Sequence, residues 1–455
     1  MEYMGIKANI KNKPVFDEDF YPLKKFFDEY LKGAKKPVVI ALYRNQGYVS
    51  VYNTFIYGTA DKEELDSYYI QRLVKLLLYT KGGYKVVICG DNRVTSYVKR
   101  IFSKTGKRAF DNELMERVYD NYFEIVYIPA NSAPSENESS SAVNIDKNGN
   151  RIGMEINQEF ISAVALCNGG LVFSSKEKWE PQANSKPEYH CKFIADMIQK
   201  AASKLEKVDC IGVSSAGIHI DNKTMISSLY SLVSDRDFEK KIKNIYIDIA
   251  SDLETRLRVE NDGDVTALAG AQIIDSGNVL GIILGASEGS GYVDKNRNIT
   301  GWLNELAFAP VACSDSAVFD SWSGDYGCGG QYLSDSAVAR LAYKAGFSFE
   351  KSLNDTQKRE QLQKALQEND QKAIKVFSDI GIYLGHIIPL YAQIYEISHI
   401  MLLGEIMASK SGEIIIESAK KVLCEEYPEC CNIVLHLPEE TVIKEGLSFA
   451  AASLN

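Results

Sequence analysis

At 455 residues and 50.7 kDa the chain is longer than one hydrophobic core ordinarily serves, and roughly 150 residues per domain predicts about three units. Hydrophobic residues at 45% and charged residues at 25% exclude wholesale disorder and a collagen-like chain. The 51 Lys and Arg against 61 Asp and Glu give a formal charge of -10, a field that repels nucleic acid, so no nucleic-acid partner is expected.

In chain order, residues 20–30 read as an amphipathic helix, and 37–57 as two strands turning at Asn45-Gln46-Gly47. Residues 69–79 read as a helix capped by Gly82-Gly83, with a strand over 84–89 behind it. This is a compact α/β unit, and no helix follows its glycine pair to make a phosphate loop of it. Residues 129–141 (PANSAPSENESSS) hold no large apolar side chain and read as a linker or exposed loop. Residues 153–166 and 171–173 follow as consecutive strands joined by Cys167-Asn168-Gly169-Gly170. A helix over 189–205 leads into a strand over 210–213, and the alternation continues to 244–249, so the class is α/β. Asn261-Asp262-Gly263-Asp264 precedes a small-residue helix over 265–274, and an apolar strand over 279–284 runs into a glycine-rich loop over 285–291. The final third is mostly helical, with a strand and turn over 401–405.

Nine cysteines without a Cys-x-x-Cys pair indicate neither a disulfide framework nor a zinc ribbon, and a reducing cytoplasm fits best. The N-terminal residues contain no run apolar enough for a signal peptide. The most apolar stretch, 381–404, is broken by His386, Pro389, Gln393, Glu396 and His399, and reads as a buried helix rather than a membrane span.

Three places could carry chemistry. At the strand-to-helix junction, the Asp262 carboxylate could accept the proton of a substrate hydroxyl while the Asn261 amide fixes its orientation, as phosphoryl transfer to an alcohol requires. The competing reading makes Asp262 and Asp264 turn and N-cap residues, and for Asp264 the cap reading is preferred. The loop with Gly285, Ser287, Gly289 and Gly291 offers bare amides to phosphate oxygens, or is a plain β-turn. Asn304 and Glu305, beside Trp302, combine ring stacking with polar ends for sugar hydroxyls; alternatively Trp302 is a core or interface aromatic and Glu305 is solvated.

Taken in order, these segments from residue 144 to the end resemble the ROK family of repressors, open reading frames and sugar kinases, within the actin-like ATPase superfamily. Gly153-Met154-Glu155-Ile156 occupies the place of the family's first phosphate loop, and Ile211-Gly212-Val213-Ser214-Ser215-Ala216-Gly217-Ile218 that of the strand before the sugar cleft. Asn261-Asp262 matches its sugar-binding Asn and catalytic Asp, residues 285–291 its second phosphate loop, and Leu303-Asn304-Glu305-Leu306-Ala307-Phe308 its sugar-binding block. Gly327-Cys328 through Ser334-Asp335-Ser336-Ala337 is similar to its cysteine-rich zinc segment, and Leu403-Gly404 to its adenosine loop. Residues 36–130 resemble the N-terminal extension of one branch of such proteins.

The resemblance implies a two-lobed, ribonuclease H-like fold with an additional N-terminal α/β domain: 1–130 the extension, 131–143 a linker, 144–259 with 434–455 the small lobe, and 260–433 the large lobe. It implies ATP-dependent phosphorylation of a hexose or amino sugar, with Asp262 as base, Asn261, Asp262, Asn304 and Glu305 on the sugar, and Glu155, Gly285, Ser287, Gly289, Gly291 and Gly404 on MgATP. A small-molecule sugar is the implied partner, no membrane is involved, and a homodimer is compatible with it.

The departures concern the nucleotide and the metal. Where ROK kinases have Asp-Ile-Gly-Gly-Thr, this chain has Glu155-Ile156-Asn157-Gln158-Glu159. A carboxylate held ~4 Å from a phosphate oxygen costs about 4 kcal/mol at an effective dielectric of ~20, or roughly three decades in affinity. Ala286 replaces the second loop's threonine. Ser321, Ser323 and Phe308 stand where zinc ligands belong, beside Cys328, so no structural zinc is expected. The alternatives are therefore a sugar kinase with weakened or lost catalysis, a non-catalytic sugar-binding sensor or scaffold, and a repressor, the last disfavoured because no helix-turn-helix is legible ahead of the ROK part.

Overall fold

The computed structural model describes residues 1–138, 140–143, 147–438 and 440–455. The N-terminal unit is built on a four-stranded sheet. The Val- and Ile-rich strand Lys36–Tyr43 pairs antiparallel with Val49–Ile56 and with Lys85–Cys89, and the latter pairs parallel with Glu124–Ile128. Gln46 (φ 62°) and Gly47 (φ 79°) take the left-handed conformation that the turn between the first two strands requires. Helix Glu63–Thr80 starts a turn and a half before the predicted one and is buried along nearly its whole length, Arg72 and Lys75 included.

The next sheet has the order 256–261, 210–215, 150–156, 160–167, 170–178, the first three strands parallel and the rest antiparallel. The run predicted as one strand over 153–166 is thus two, Asn150–Ile156 and Phe160–Cys167. Asn157 breaks it: its side-chain oxygen accepts from the amides of Glu159 (2.9 Å) and Phe160 (3.0 Å), closing a turn that the apolar residues on either side conceal. Residues 245–252 are helical. The C-terminal segment divides. Val434–His436 pairs with His399–Leu403 in the other sheet, of order 288–293, 279–284, 399–403, 434–436, while helix Glu440–Ala451 covers the 150–156 and 210–215 strands. That crossing is close: a Cβ on Gly153 would lie 1.9 Å from the Ser448 carbonyl, and one on Gly212 1.8 Å from that of Ala451.

The N-terminal unit is not a separate lobe. Its Phe27, Tyr30, Tyr69 and Leu77 belong to one continuous core with Leu280, Leu306, Tyr332 and Phe377, whereas the 150–261 sheet has a core of its own. The segment read as a linker is tied down: Asn137 exchanges backbone hydrogen bonds with Val49 (2.8 and 2.9 Å), and the Ser141 amide donates to the Ile299 carbonyl (2.7 Å). The 381–404 stretch holds the end of helix Gln371–Tyr391 and then the strand His399–Leu403. That helix is long and apolar enough to cross a membrane, and 78% of its apolar window is buried inside the protein. Cys424 and Cys431, seven positions apart, form a disulfide, where the cysteine spacing indicated no framework. Its span is local, so no framework pattern announced it.

Candidate functional site

The strand Arg256–Asn261 ends at the N-terminus of helix Asp262–Ile273. Asn261 is the cap: its side-chain oxygen accepts from the Gly263 amide (2.7 Å), and its Nδ2 donates to the Gly217 carbonyl (2.7 Å). One N–H and one lone pair of the amide are left for a ligand. Asp262 accepts from the Gly263 amide (3.0 Å), and burial, opposed by backbone amides at 262 and 263, raises its pKa. Asp264 corrects the sequence reading. It lies inside the helix rather than at its cap, buried, accepting from the Tyr292 amide (3.0 Å) and from Asn304 Nδ2 (2.8 Å).

Asn304 is corrected with it. Held at φ 53°, it is buried, donates to Asp264 and accepts from the Tyr395 hydroxyl (2.9 Å), so its side chain braces the loop from inside instead of facing the cleft. Its neighbour Glu305 does face the cleft. The two residues' amides donate to the carbonyls of Thr80 (3.1 Å) and Tyr79 (2.8 Å), the last residues of helix Glu63–Thr80. The Glu305 carboxyl has no hydrogen bond among the described residues. Burial and then the Asp262 charge push its pKa up to about 7. Glu155, at the end of the Asn150–Ile156 strand, also feels the Asp262 charge: burial first, reinforced by Asp262 and opposed by Asn157 and Lys176, pushes it up to about 7 as well.

Beside Asn261 and Glu305 opens a cavity of about 150 Å³ with walls from all three units: Arg44, Gln46 and Tyr48 of the N-terminal hairpin turn, His219, Asn222 and Asn261, and Thr300, Trp302 and Glu305; Asp262 and Glu155 are not among its lining residues. Burial pushes His219 down to about 4, so it is neutral at pH 7. The buried Thr300 hydroxyl has no hydrogen-bond partner among the described residues. Trp302 is both a wall and an interface aromatic: it stacks on Tyr292 (5.5 Å, 4°), lies under the Lys81 ammonium, and donates to Glu138 (3.1 Å). The N-terminal contribution was missed by sequence reasoning, and nothing in a polar hairpin turn could have signalled it.

The glycine loop is shorter than predicted. The turn comprises Gly285, Ala286 and Ser287, and Glu288–Val293 is already a strand, with Gly289 opposite Ile283 and Gly291 opposite Gly281. A Cβ on Gly291 would lie 2.2 Å from the Asp264 amide, so this glycine admits the helix carrying Asp262 and not a phosphate. Gly404 (φ 94°) passes so close to Leu284 that the next residue, Glu405, sets its carboxylate 2.9 Å from a Cβ built on Gly285. At the first turn, Asn157 already occupies the amides of Glu159 and Phe160. These residues do not fit a nucleoside triphosphate: one cradle is filled by the chain's own side chain and the other faces a carboxylate.

The segment that resembles a zinc site does not fit zinc either. Cys328 has Ser323 Oγ at 3.7 Å and the Lys75 ammonium at 3.8 Å, and burial pushes its thiol up to about 11. Among the described residues, no group of three or more His, Cys, Asp or Glu side chains is placed to hold a metal ion.

Two sheets joined through the strand-to-helix junction at Asn261-Asp262, each packed with helices, are the architecture of the two-lobed, actin-like ATPase fold. Residues 152–439 match the ROK family, and the chain belongs to it. A ROK hexokinase from Thermus thermophilus is 15% identical and superposes with a TM-score of 0.50 over 67% of this chain and 97% of its own. A ROK family transcriptional regulator, a homologue of the E. coli MLC protein, is 16% identical with a TM-score of 0.53, over 68% of this chain and 80% of its own. A ROK glucokinase from Streptomyces griseus, solved with glucose and AMPPNP, is 16% identical with a TM-score of 0.47, over 67% and 98%. No curated protein matches the chain.

Proposed function

We propose that this chain binds a hexose or an amino sugar in the cleft and acts as a sugar sensor, phosphoryl transfer having been lost. The observation that carries this reading is the contrast between the two ends of the cleft. The turn that would hold phosphate is closed by Asn157 on its own backbone. The sugar end keeps, in the cavity wall, a Glu305 carboxyl with no hydrogen bond among the described residues and spare capacity on Asn261, with Asp262 next to Asn261 in sequence accepting from the Gly263 amide. Vicinal hydroxyls of a pyranose pair with such carboxylates and amides, donating to the one and accepting from the other. Titration calorimetry with a panel of glucose, mannose, glucosamine and N-acetylglucosamine, with and without MgATP, tests it: sugar binding indifferent to the nucleotide is the expected result.

A second reading retains phosphorylation with Asp262 as general base. What favours it is the Asp262 carboxyl itself, half-buried and, among the described residues, accepting a hydrogen bond only from nearby backbone amides, as a proton acceptor for a sugar hydroxyl would be. An ADP-release assay separates the two, because in the kinase reading Asp262→Asn lowers turnover by orders of magnitude at nearly unchanged sugar affinity. A repressor role is disfavoured by the formal charge of -10 and by an N-terminal unit organised around a four-stranded sheet.

A further inference from the structure

A cluster of buried charges lies outside the cleft. Asp325 accepts from Arg72 Nη1 at both oxygens (3.0 and 2.8 Å), from the Lys75 ammonium (2.7 Å) and from Arg108 Nη1. Lys75 also faces Asp111 (3.4 Å) and the Cys328 sulfur, and Arg72 donates a further hydrogen bond to the Tyr326 carbonyl (2.8 Å). Lys75 is 0%, Arg72 3% and Asp325 4% exposed. Burial would raise the Asp325 pKa, but the three cations hold the carboxyl well below the usual range.

Three cations against two carboxylates leave one positive charge in excess, and the one sulfur present stays a neutral thiol. A divalent cation would be repelled from this spot. Where the family's histidine ligand would sit, Phe308 packs instead on Tyr79 and Phe110, ring centroids 5.5 and 5.3 Å away. Both ends of the 304–328 segment therefore meet the same helix, Glu63–Thr80. Arg72 and Lys75 grip Asp325 at one end, and the carbonyls of Tyr79 and Thr80 receive the amides of Glu305 and Asn304 at the other.

We propose that this N-terminal helix, with Arg108, takes the place of a structural zinc in this chain, and that Arg72, Lys75 and Arg108 are positioning residues for Glu305. The N-terminal unit is then part of the site's scaffold and not an accessory domain. The inference does not depend on what the cleft binds, since it concerns where the 304–328 segment is held.

The test uses the full chain and three readouts: zinc content after purification in excess zinc, melting temperature with and without EDTA, and hydrogen exchange at the Asn304 and Glu305 amides. Zinc far below one per chain and a melt indifferent to EDTA are expected. Arg108→Gln removes one of the three cations without emptying the cluster, and should lower the melt and speed exchange at both amides by about tenfold or more, with Arg108→Lys restoring most of the protection. Cys328→Ser should change neither. Asp325→Asn should have the larger effect, and if it does not fold the Arg108 pair decides alone. One zinc per chain, lost to EDTA together with stability, would overturn the proposal. So would a Cys328→Ser variant as impaired as Arg108→Gln, or an Arg108→Gln variant that melts lower with unchanged exchange at Asn304 and Glu305, which would make the cluster a stability element and no more.

Discussion

Glu155→Gln should make the protein more stable at pH 8 and leave it unchanged at pH 4.5. Glu155 is 5% exposed, with Asn157 Nδ2 donating to it at 3.1 Å, and its pKa rises from 4.5 to about 7 on folding. The folded state therefore binds more protons than the unfolded chain between those values, and stability falls as pH rises across that window. At about 1.4 kcal/mol per pH unit the full cost of ionising this carboxyl in place is about 3 kcal/mol, present above about pH 7.5 and absent below about pH 4.5. Glutamine keeps the acceptor for Asn157 and cannot ionise, so the variant is spared that cost. For a chain this long the gain at pH 8 amounts to a melting temperature raised by about 3 °C. Thermal melts of both proteins at pH 4.5, 6 and 8 read the effect. A difference that does not grow with pH, or a variant less stable at pH 8, would refute the reasoning that burial and the neighbouring Asp262 charge raise this group.

Asn304→Ala should cost about 2–3 kcal/mol in a denaturant titration, because it leaves the buried Asp264 and Tyr395 without their shared partner and puts alanine at a left-handed φ. Gly291→Ala should fail to give folded protein, by circular dichroism, since its Cβ would stand 2.2 Å from the Asp264 amide, whereas Gly301→Ala, with nothing within 4 Å, should cost only about 1 kcal/mol for its φ of 65°. Replacing Asn157 and Gln158 by Gly and Glu159 by Thr frees two amides and removes a carboxylate, so MgATP affinity by calorimetry should rise by at least about tenfold over wild type.

The strands and helices that announced themselves were those with clean apolar periodicity or a glycine stop: the 36–56 hairpin, helix Glu63–Thr80 and the strand Val279–Leu284. Asn261 and Asp262 were legible because a strand-to-helix junction is a local feature. Asn157 was not, because its short polar turn sits between two apolar stretches that together read as one strand, and is made by a side chain bonding to backbone two and three residues ahead. Asn304 and Asp264 read as site and cap residues because nothing local says that they bond to each other across 40 positions. The roles of Arg44, Arg72 and Lys75 are pairings between units distant in sequence, which no pattern of spacing encodes. Buried cations on a helix are the one trace they leave, and from sequence those look like the solvated face of an ordinary amphipathic helix.

The most direct measurement is titration calorimetry of the full chain with the four sugars, repeated at saturating MgATP. The account predicts that at least one hexose or amino sugar binds, that Glu305→Ala abolishes the heat, and that MgATP neither binds nor shifts the sugar affinity. MgATP binding to the wild-type chain, accompanied by ADP release once a sugar is added, would contradict it.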